Sequence, residues 1–371
     1  MIAELFRILT FQSGYNTSVV LAGVTILGLG GGVVGSFVLL RRRALMSDSI
    51  SHSTLPGVGI GFLTALVLGG TGRELPIVML GAVATATVGI LAVQWIRDNT
   101  RLAEDAAIGT VLSVFYGLGI VIFSYIQTLD VGSQAGLTSF LLGTTAALRL
   151  NEAWIIGGAS ALVTLASAAL FKEFRLLCFD PEFAAARGYP VARLDLALMA
   201  LLLCVVAIGL KTVGMVLIIA LVIVPPVAAR FWTERLTRMV WAAALIGGLS
   251  CWLGAALSAL LPNLPSGSVI VLTAGGFFLF SFLFAPARGL LASAIRHIRF
   301  RWRLALQQGL VGAGAGEPPS GVVRRFLRWR GHLSSAGGLT ERGREAAREA
   351  EAALAALQGA WPGGAGTRRR A

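Results

Sequence analysis

The sequence predicts an all-α, polytopic membrane helix bundle, and three observations carry that prediction. Hydrophobic residues make up 56% of the 371 positions and charged residues 13%, with a mean hydropathy of +0.79, which lies outside the range of soluble globular chains. Apolar runs of about 20 residues, each long enough to cross a hydrocarbon core of roughly 30 Å, recur from Ser18 to Phe284. Arginines and lysines gather in the short connections after every second run, the signature of loops held on one side of a membrane.

The runs give about nine spans, over 18–40, 47–69, 76–96, 106–126, 153–171, 195–209, 213–230, 240–261 and 267–285. Arg41 to Arg43, the Arg97 and Arg101 loop, the 172–193 loop and the Arg230, Arg235 and Arg238 loop share one side, which the positive-inside rule makes the cytoplasm. The N-terminus is then expected outside and the C-terminal tail inside. The opening "MIAELFRILTFQSGY" lacks a basic n-region and a small-residue cleavage site, so its removal as a signal peptide is not expected. Residues 132–149 are apolar enough to be buried, yet a full span there would put Lys172, Arg175 and Arg187 outside. They are expected to form a short re-entrant or interfacial element.

The first span contains "GLGGGVVG", with Gly28 and Gly32, and Gly31 and Gly35, at GxxxG spacing. Small residues at this spacing let helix backbones approach closely, so the span is expected inside the bundle. No Lys-Ser or Lys-Thr follows the glycines, which argues against a phosphate loop.

The second span opens with "RRRALMSDSISHSTLPG". Counting from Arg43 at the interface with a rise of about 1.5 Å per residue, Asp48 lies roughly 7 Å and His52 roughly 13 Å along the helix, toward the middle of the membrane. Their i, i+4 spacing puts both side chains on one face. Ionisable residues at that depth are costly and normally face a pathway or site inside the bundle. The plainer reading makes Asp48 a late cap or an arginine partner and His52 a core histidine. A carboxylate and a neutral imidazole one turn apart suit a divalent cation better, with Ser47, Ser51, Ser53 and Thr54 as surrounding hydroxyls. Pro56 and Gly57 interrupt the same span, freeing a carbonyl near the pair, and Pro225 and Pro226 interrupt the seventh. All four are candidate gating residues. Glu104 and Asp105 open the fourth span, where acids complement the helix dipole.

Between the fifth and sixth spans, "FDPEFAAARGYPVAR" spells a short surface helix. Asp180 is its N-cap, Pro181 suits the first helical position, Gly188 fits the C-terminal cap and Pro190 stops continuation. The three cysteines, Cys178, Cys204 and Cys251, have no metal-binding or redox spacing and are expected to be packing residues.

Two domains are expected: a membrane domain over 1–285 and a basic cytoplasmic tail over 286–371. The tail carries 15 arginines against 5 glutamates, so +10 of the formal +13 belongs to it. Its "RHIRFRWR" suits anionic membrane lipids, and 311–321 is expected to be a flexible linker. A basic helix, a turn or short hairpin and a helix capped by Thr340 should follow. This end resembles the last part of a winged-helix module, but too little precedes it to complete one, so nucleic acid is not an expected partner.

The stretches "LLRRRALMSDSISHSTLPGVGIGF", "EDAAIGTVLSVFYGLGIVIFS", "FDPEFAAARGYPVARLD" and "LIIALVIVPPVAARF", in this order, resemble the permease subunit of the bacterial metal-type ABC importers for manganese, zinc or iron. The likeness covers roughly residues 15–285. It implies a multi-pass protein of the bacterial inner membrane that carries Mn2+, Fe2+ or Zn2+ and holds no covalent cofactor. It also implies that Asp48 and His52 are metal ligands and that Asp180, Pro181, Glu182, Ala185, Arg187 and Gly188 belong to a coupling helix that docks on the ATPase. The implied partners are two copies of an ABC ATPase that holds the ATP, a second permease copy or paralogue, and an extracytoplasmic metal-binding protein. One departure stands at Ser47, where the family commonly has Gly. The "SHSTLPG" form leans toward the manganese and iron type.

The chain is not expected to be an enzyme. Its only lysines, Lys172 and Lys211, follow Phe171 and Leu210, so no Walker A motif is present. An intramembrane metalloprotease would need H-E-x-x-H, which is absent. The remaining alternative is a proton-coupled secondary metal transporter using Asp48, which would leave the "DPEFAAARG" helix without a role.

Overall fold

The computed structural model describes residues 2–10, 12, 14–69, 75–129, 150–260, 265–317, 319–334 and 337–359. Among them the chain is helical throughout, apart from turns and one isolated antiparallel bridge between Leu333 and Leu339. The chain divides into two compact units, Met1–Gly289 and Leu290–Ala371.

In the first unit a short helix α1 (Ile2–Leu9) precedes α2 (Tyr15–Leu40), α3 (Ala44–Val67), α4 (Leu75–Asn99), α5 (Glu104–Thr128) and α6 (Leu150–Ala169). Two short helices follow, α7 (Phe171–Phe179) and α8 (Pro181–Ala186), and then α9 (Val191–Val213), α10 (Met215–Arg230), α11 (Leu236–Leu260) and α12 (Ser266–Phe284). Eight of the described helices are long and apolar enough to cross a membrane. The seventh expected span corresponds to α10, whose apolar part, Leu217–Arg230, is shorter than the others. Gly214, with φ of +85°, separates it sharply from α9, so the two form a broken pair. The expected re-entrant element at 132–149 lies outside the described residues. Helix α1 carried no expectation of its own; it packs on α11 through a buried face that includes Ile8.

The glycine pattern of the first span decides where α2 sits. A Cβ at Gly28 would come within 2.5 Å of the Gly247 carbonyl oxygen, and one at Gly32 within 2.3 Å of that of Ala243, both on α11. A Cβ at Gly35 would lie 2.0 Å from the Val222 carbonyl oxygen on α10. Only glycine admits such approaches, so α2 lies in the bundle interior against two helices at once. On the other side α3 lies between α4 and α5. Helices α9 and α10 touch both α2 and α3.

The second unit contains α13 (Leu290–Gly314), α14 (Gly321–Trp329) and α15 (Glu341–Gly359) around a small apolar cluster of Leu310, Val323, Leu327 and Leu333. The linker expected from 311 begins later, because α13 continues through Gly314, with Ala313 packed against that cluster. The turn and cap occur as expected. Thr340 Oγ1 accepts from the Gly343 N–H at 3.1 Å and donates to the Gly331 carbonyl at 2.7 Å, while its N–H donates to His332 O at 3.1 Å in the bridge between Leu333 and Leu339.

Candidate metal site and its surroundings

Helix α3 is apolar but has no apolar stripe, since it is packed on nearly all sides. Ser47, Ser51, Ser53 and Thr54 are all fully buried. Three of these hydroxyls donate to their own helix, Ser47 to Ala44 O at 2.8 Å, Ser51 to Ser47 O at 2.7 Å and Thr54 to Ser51 O at 2.5 Å. Their protons are spent on backbone. Ser53 Oγ is buried without a partner among the described residues, beneath Gly89 of α4.

Asp48 and His52 come together one turn apart, with Nε2 of the imidazole 3.2 Å from Oδ1 of the carboxylate. Both side chains are partly accessible, 35% for Asp48 and 20% for His52, while the residues on either side of them are buried. The pair is therefore the accessible part of a stretch, 46–59, that is otherwise buried. His52 Nδ1 is buried with no hydrogen-bond partner among the described residues. An acceptor left in that state is what an ion or water would satisfy. Among the described residues no third His, Cys, Asp or Glu joins the pair in a metal-sized group.

The sequence did not single out the aromatic partner. Tyr116 of α5 meets the His52 ring edge to face, with centroids 5.0 Å apart and planes at 88°. This contact fixes the plane of the imidazole from a second helix. Pro56 has no N–H to offer the His52 carbonyl four residues back, so that oxygen loses its helical partner beside the pair. Gly119 of α5 makes room for the same stretch: a Cβ there would sit 2.7 Å from Leu55 Cβ. The other two prolines pack elsewhere, Pro226 over Gly35 of α2 and Pro225 over Gly247 of α11.

At the start of α3 lies an ionic cluster. Arg43, the residue before the helix, is 3% exposed and pairs with Asp195 of α9 and with Glu104 at the start of α5. Asp195, also 3% exposed, further accepts from Arg41 Nε at 3.3 Å and Arg97 Nη1 at 3.3 Å. Glu104 thus does more than face a helix dipole. The signal for Asp195 was present in the sequence, as a lone acid ahead of the apolar run "LALMALLL".

Helix α8 is closed at both ends by its own residues. Asp180 Oδ1 accepts from the Phe183 N–H at 2.9 Å, and Pro181 occupies the first turn. Gly188, at φ +84°, donates to Ala185 O at 2.9 Å, while Tyr189 donates to Ala184 O at 3.0 Å. Ala184 is buried and anchors the helix, leaving Glu182, Phe183, Ala185 and Arg187 exposed, with the Arg187 guanidinium 5.3 Å above the Phe183 ring.

Residues 14–285 match the family model described as the ABC 3 transport family. The chain is 45% identical over 297 residues to the "Manganese transport system membrane protein MntC" of Bacillus subtilis (strain 168), covering 80% of this chain and 67% of that protein. It is 37% identical over 287 residues to the "Zinc transport system membrane protein TroC" of Treponema pallidum (strain Nichols), covering 77% and 95%. Among solved structures, "PsaBC from Streptococcus pneumoniae in complex with Fab" superposes with a TM-score of 0.66 at 31% identity, over 78% of this chain and 98% of that one.

Proposed function

The chain belongs to the ABC 3 transport family, and on that premise we propose that it is the membrane permease subunit of an ATP-driven importer of divalent transition-metal ions. One observation carries the site: Asp48 and His52, 3.2 Å apart and partly accessible, within a stretch of α3, 46–59, that is otherwise buried. Carboxylate oxygen and imidazole nitrogen without thiolate suit manganese, iron or zinc, and the names of the relatives favour manganese, with zinc next. The two side chains would hold the ion in transit, and the His52 carbonyl left by Pro56, waters or a second copy would complete its shell. Family membership does not favour the proton-coupled alternative.

Hydrolysis of ATP belongs to a separate ATPase, in two copies, which docks on the exposed face of α8 through Glu182, Ala185 and Arg187. Asp180, Pro181 and Gly188 hold that face in shape. A second permease copy or paralogue completes the pathway, and an extracytoplasmic metal-binding protein delivers the ion. The chain resides in the bacterial inner membrane, with its N-terminus outside and its basic tail in the cytoplasm against anionic lipid. Pro56 and Gly57 on α3, and Pro225 and Pro226 on α10, mark where helices give way during gating.

The test is uptake of manganese, zinc and iron by cells that express the chain with its ATPase and binding protein, comparing the parent with Asp48→Asn and His52→Ala. Loss of uptake of one metal in both variants, with the ATPase still co-purifying, supports the reading and names the cargo. Parental uptake in both would overturn it.

A further inference from the structure

The ionic cluster at Asp195 joins the three parts that transport must coordinate. We propose that Asp195 is a positioning residue that transmits movement of α8 to the Asp48 and His52 helix. This rests on the reading of α8 as the ATPase docking helix.

The connection from α8 to Asp195 is short and stiff. Val191 N–H donates to Tyr189 O at 2.9 Å and Leu194 N–H to Pro190 O at 3.0 Å, adding to the bonds of Gly188 and Tyr189 that close α8. Asp195 lies in the second turn of α9, so a shift of α8 displaces its carboxylate with little slack. That carboxylate grips Arg43, and Arg43 is the N-cap residue of α3, five positions before Asp48. The α2–α3 turn is itself tight: Arg42 stands at φ +61°, and Arg43 N–H donates to Val38 O at 3.0 Å. Arg43 also pairs with Glu104, the first residue of α5, the helix that carries Tyr116 against His52. One carboxylate therefore reaches both helices that position the imidazole.

The charges within the cluster balance. Arg41, Arg43 and Arg97 face Asp195, Glu104 and Asp98, the last held by Arg97 at 2.8 Å. A buried ionic hub is weak evidence for stability, because desolvation offsets most of the attraction. The hydrogen bonds from Arg41, Arg43 and Arg97 to Asp195 are directional and are either made or broken, unlike apolar contacts that slide, which suits an element with two discrete arrangements.

The test uses the full permease and ATPase complex with its binding protein in liposomes, measuring manganese uptake and ATP hydrolysis in the same vesicles. Asp195→Asn should hydrolyse ATP near the parental rate while moving about tenfold less manganese per ATP, a loss within the usual range of coupling between sites. Arg43→Gln should lower the same ratio, and the double variant should be no worse than the poorer single, as expected of one shared link. A fall in uptake and hydrolysis in equal proportion, leaving the ratio parental, would assign Asp195 to folding alone and overturn the proposal. If Asp195→Asn does not assemble, Asp195→Glu is measured; it should assemble with a lowered ratio, and a parental ratio or failed assembly also overturns the proposal. The premise is checked separately with Phe183→Asp on α8: an ATPase that still co-purifies would refute the docking reading, whatever the Asp195 ratio shows.

Discussion

Gly57 of α3 and Gly81 of α4 meet backbone to backbone where the two helices cross, and a methyl added at Gly57 would sit 2.1 Å from the Gly81 carbonyl oxygen. The reverse is equally tight, with 2.3 Å between a Cβ on Gly81 and the Gly57 carbonyl oxygen. Gly57 is therefore a packing contact five residues beyond His52. Gly57→Ala should lower stability by about 1–3 kcal/mol, the usual cost of overpacking, and push α3 away from α4. Thermal unfolding in detergent checks the first effect. Metal uptake at equal expression should also fall, because α3 carries the pair.

Tyr116 should matter to metal uptake although it contributes no charge. Its ring holds the His52 imidazole edge to face, a contact worth about 0.5–1.5 kcal/mol beyond area burial. Tyr116→Leu should weaken the apparent affinity for manganese by about threefold to tenfold through loss of that contact. Tyr116→Phe keeps the ring and should stay near the parent. Concentration-dependent uptake separates them; equal effects of the two changes would mean that the hydroxyl, not the ring, carries the role.

The caps of α8 set how firmly its exposed face is held. Asp180→Ala removes the acceptor for the Phe183 N–H and should destabilise the helix by about 1 kcal/mol. Gly188→Ala puts a side chain at φ +84°, with a comparable cost of about 1 kcal/mol. A six-residue helix has little reserve, so either change should reduce the ATPase recovered with the purified permease. Asp180→Asn, which still accepts the bond, should recover most of it.

Much of this was legible because the signals are local. The helix at 181–186 follows from Asp, Pro and Gly at fixed offsets, and the meeting of Asp48 with His52 follows from helical geometry alone. The GxxxG spacing announced close packing of α2, yet not that Gly28 and Gly32 serve α11 while Gly35 serves α10. Which helix lies opposite is a long-range matter. Tyr116 and Asp195 escaped notice for that reason: Tyr116 is 64 positions from His52 and reads as one aromatic in an apolar run, and Asp195 gains meaning only when α2, α4 and α9 converge on it. The break between α9 and α10 was legible as well, since Lys211 and Thr212 divide two apolar runs expected as separate spans, and the structure places it at Gly214.

Cys178 tests the burial of α7 chemically. It lies on α7, outside the long apolar helices, beneath α2 with its Sγ 3.6 Å from the Phe37 carbonyl. Burial pushes its thiol up to about 12, with Arg41 opposing the shift and Asp195 adding to it. Thiolate is the reactive form, so the folded protein should alkylate at Cys178 far more slowly at pH 8 than the unfolded chain. The sign follows from the shift: the folded state holds the proton more tightly, and labelling should climb steadily as pH rises past the ordinary thiol value. Arg41→Gln removes the opposing cation and should slow labelling further. Peptide mass spectrometry after timed maleimide exposure reads both, and rapid labelling of the folded parent at pH 8 would mean that α7 does not stay packed on α2.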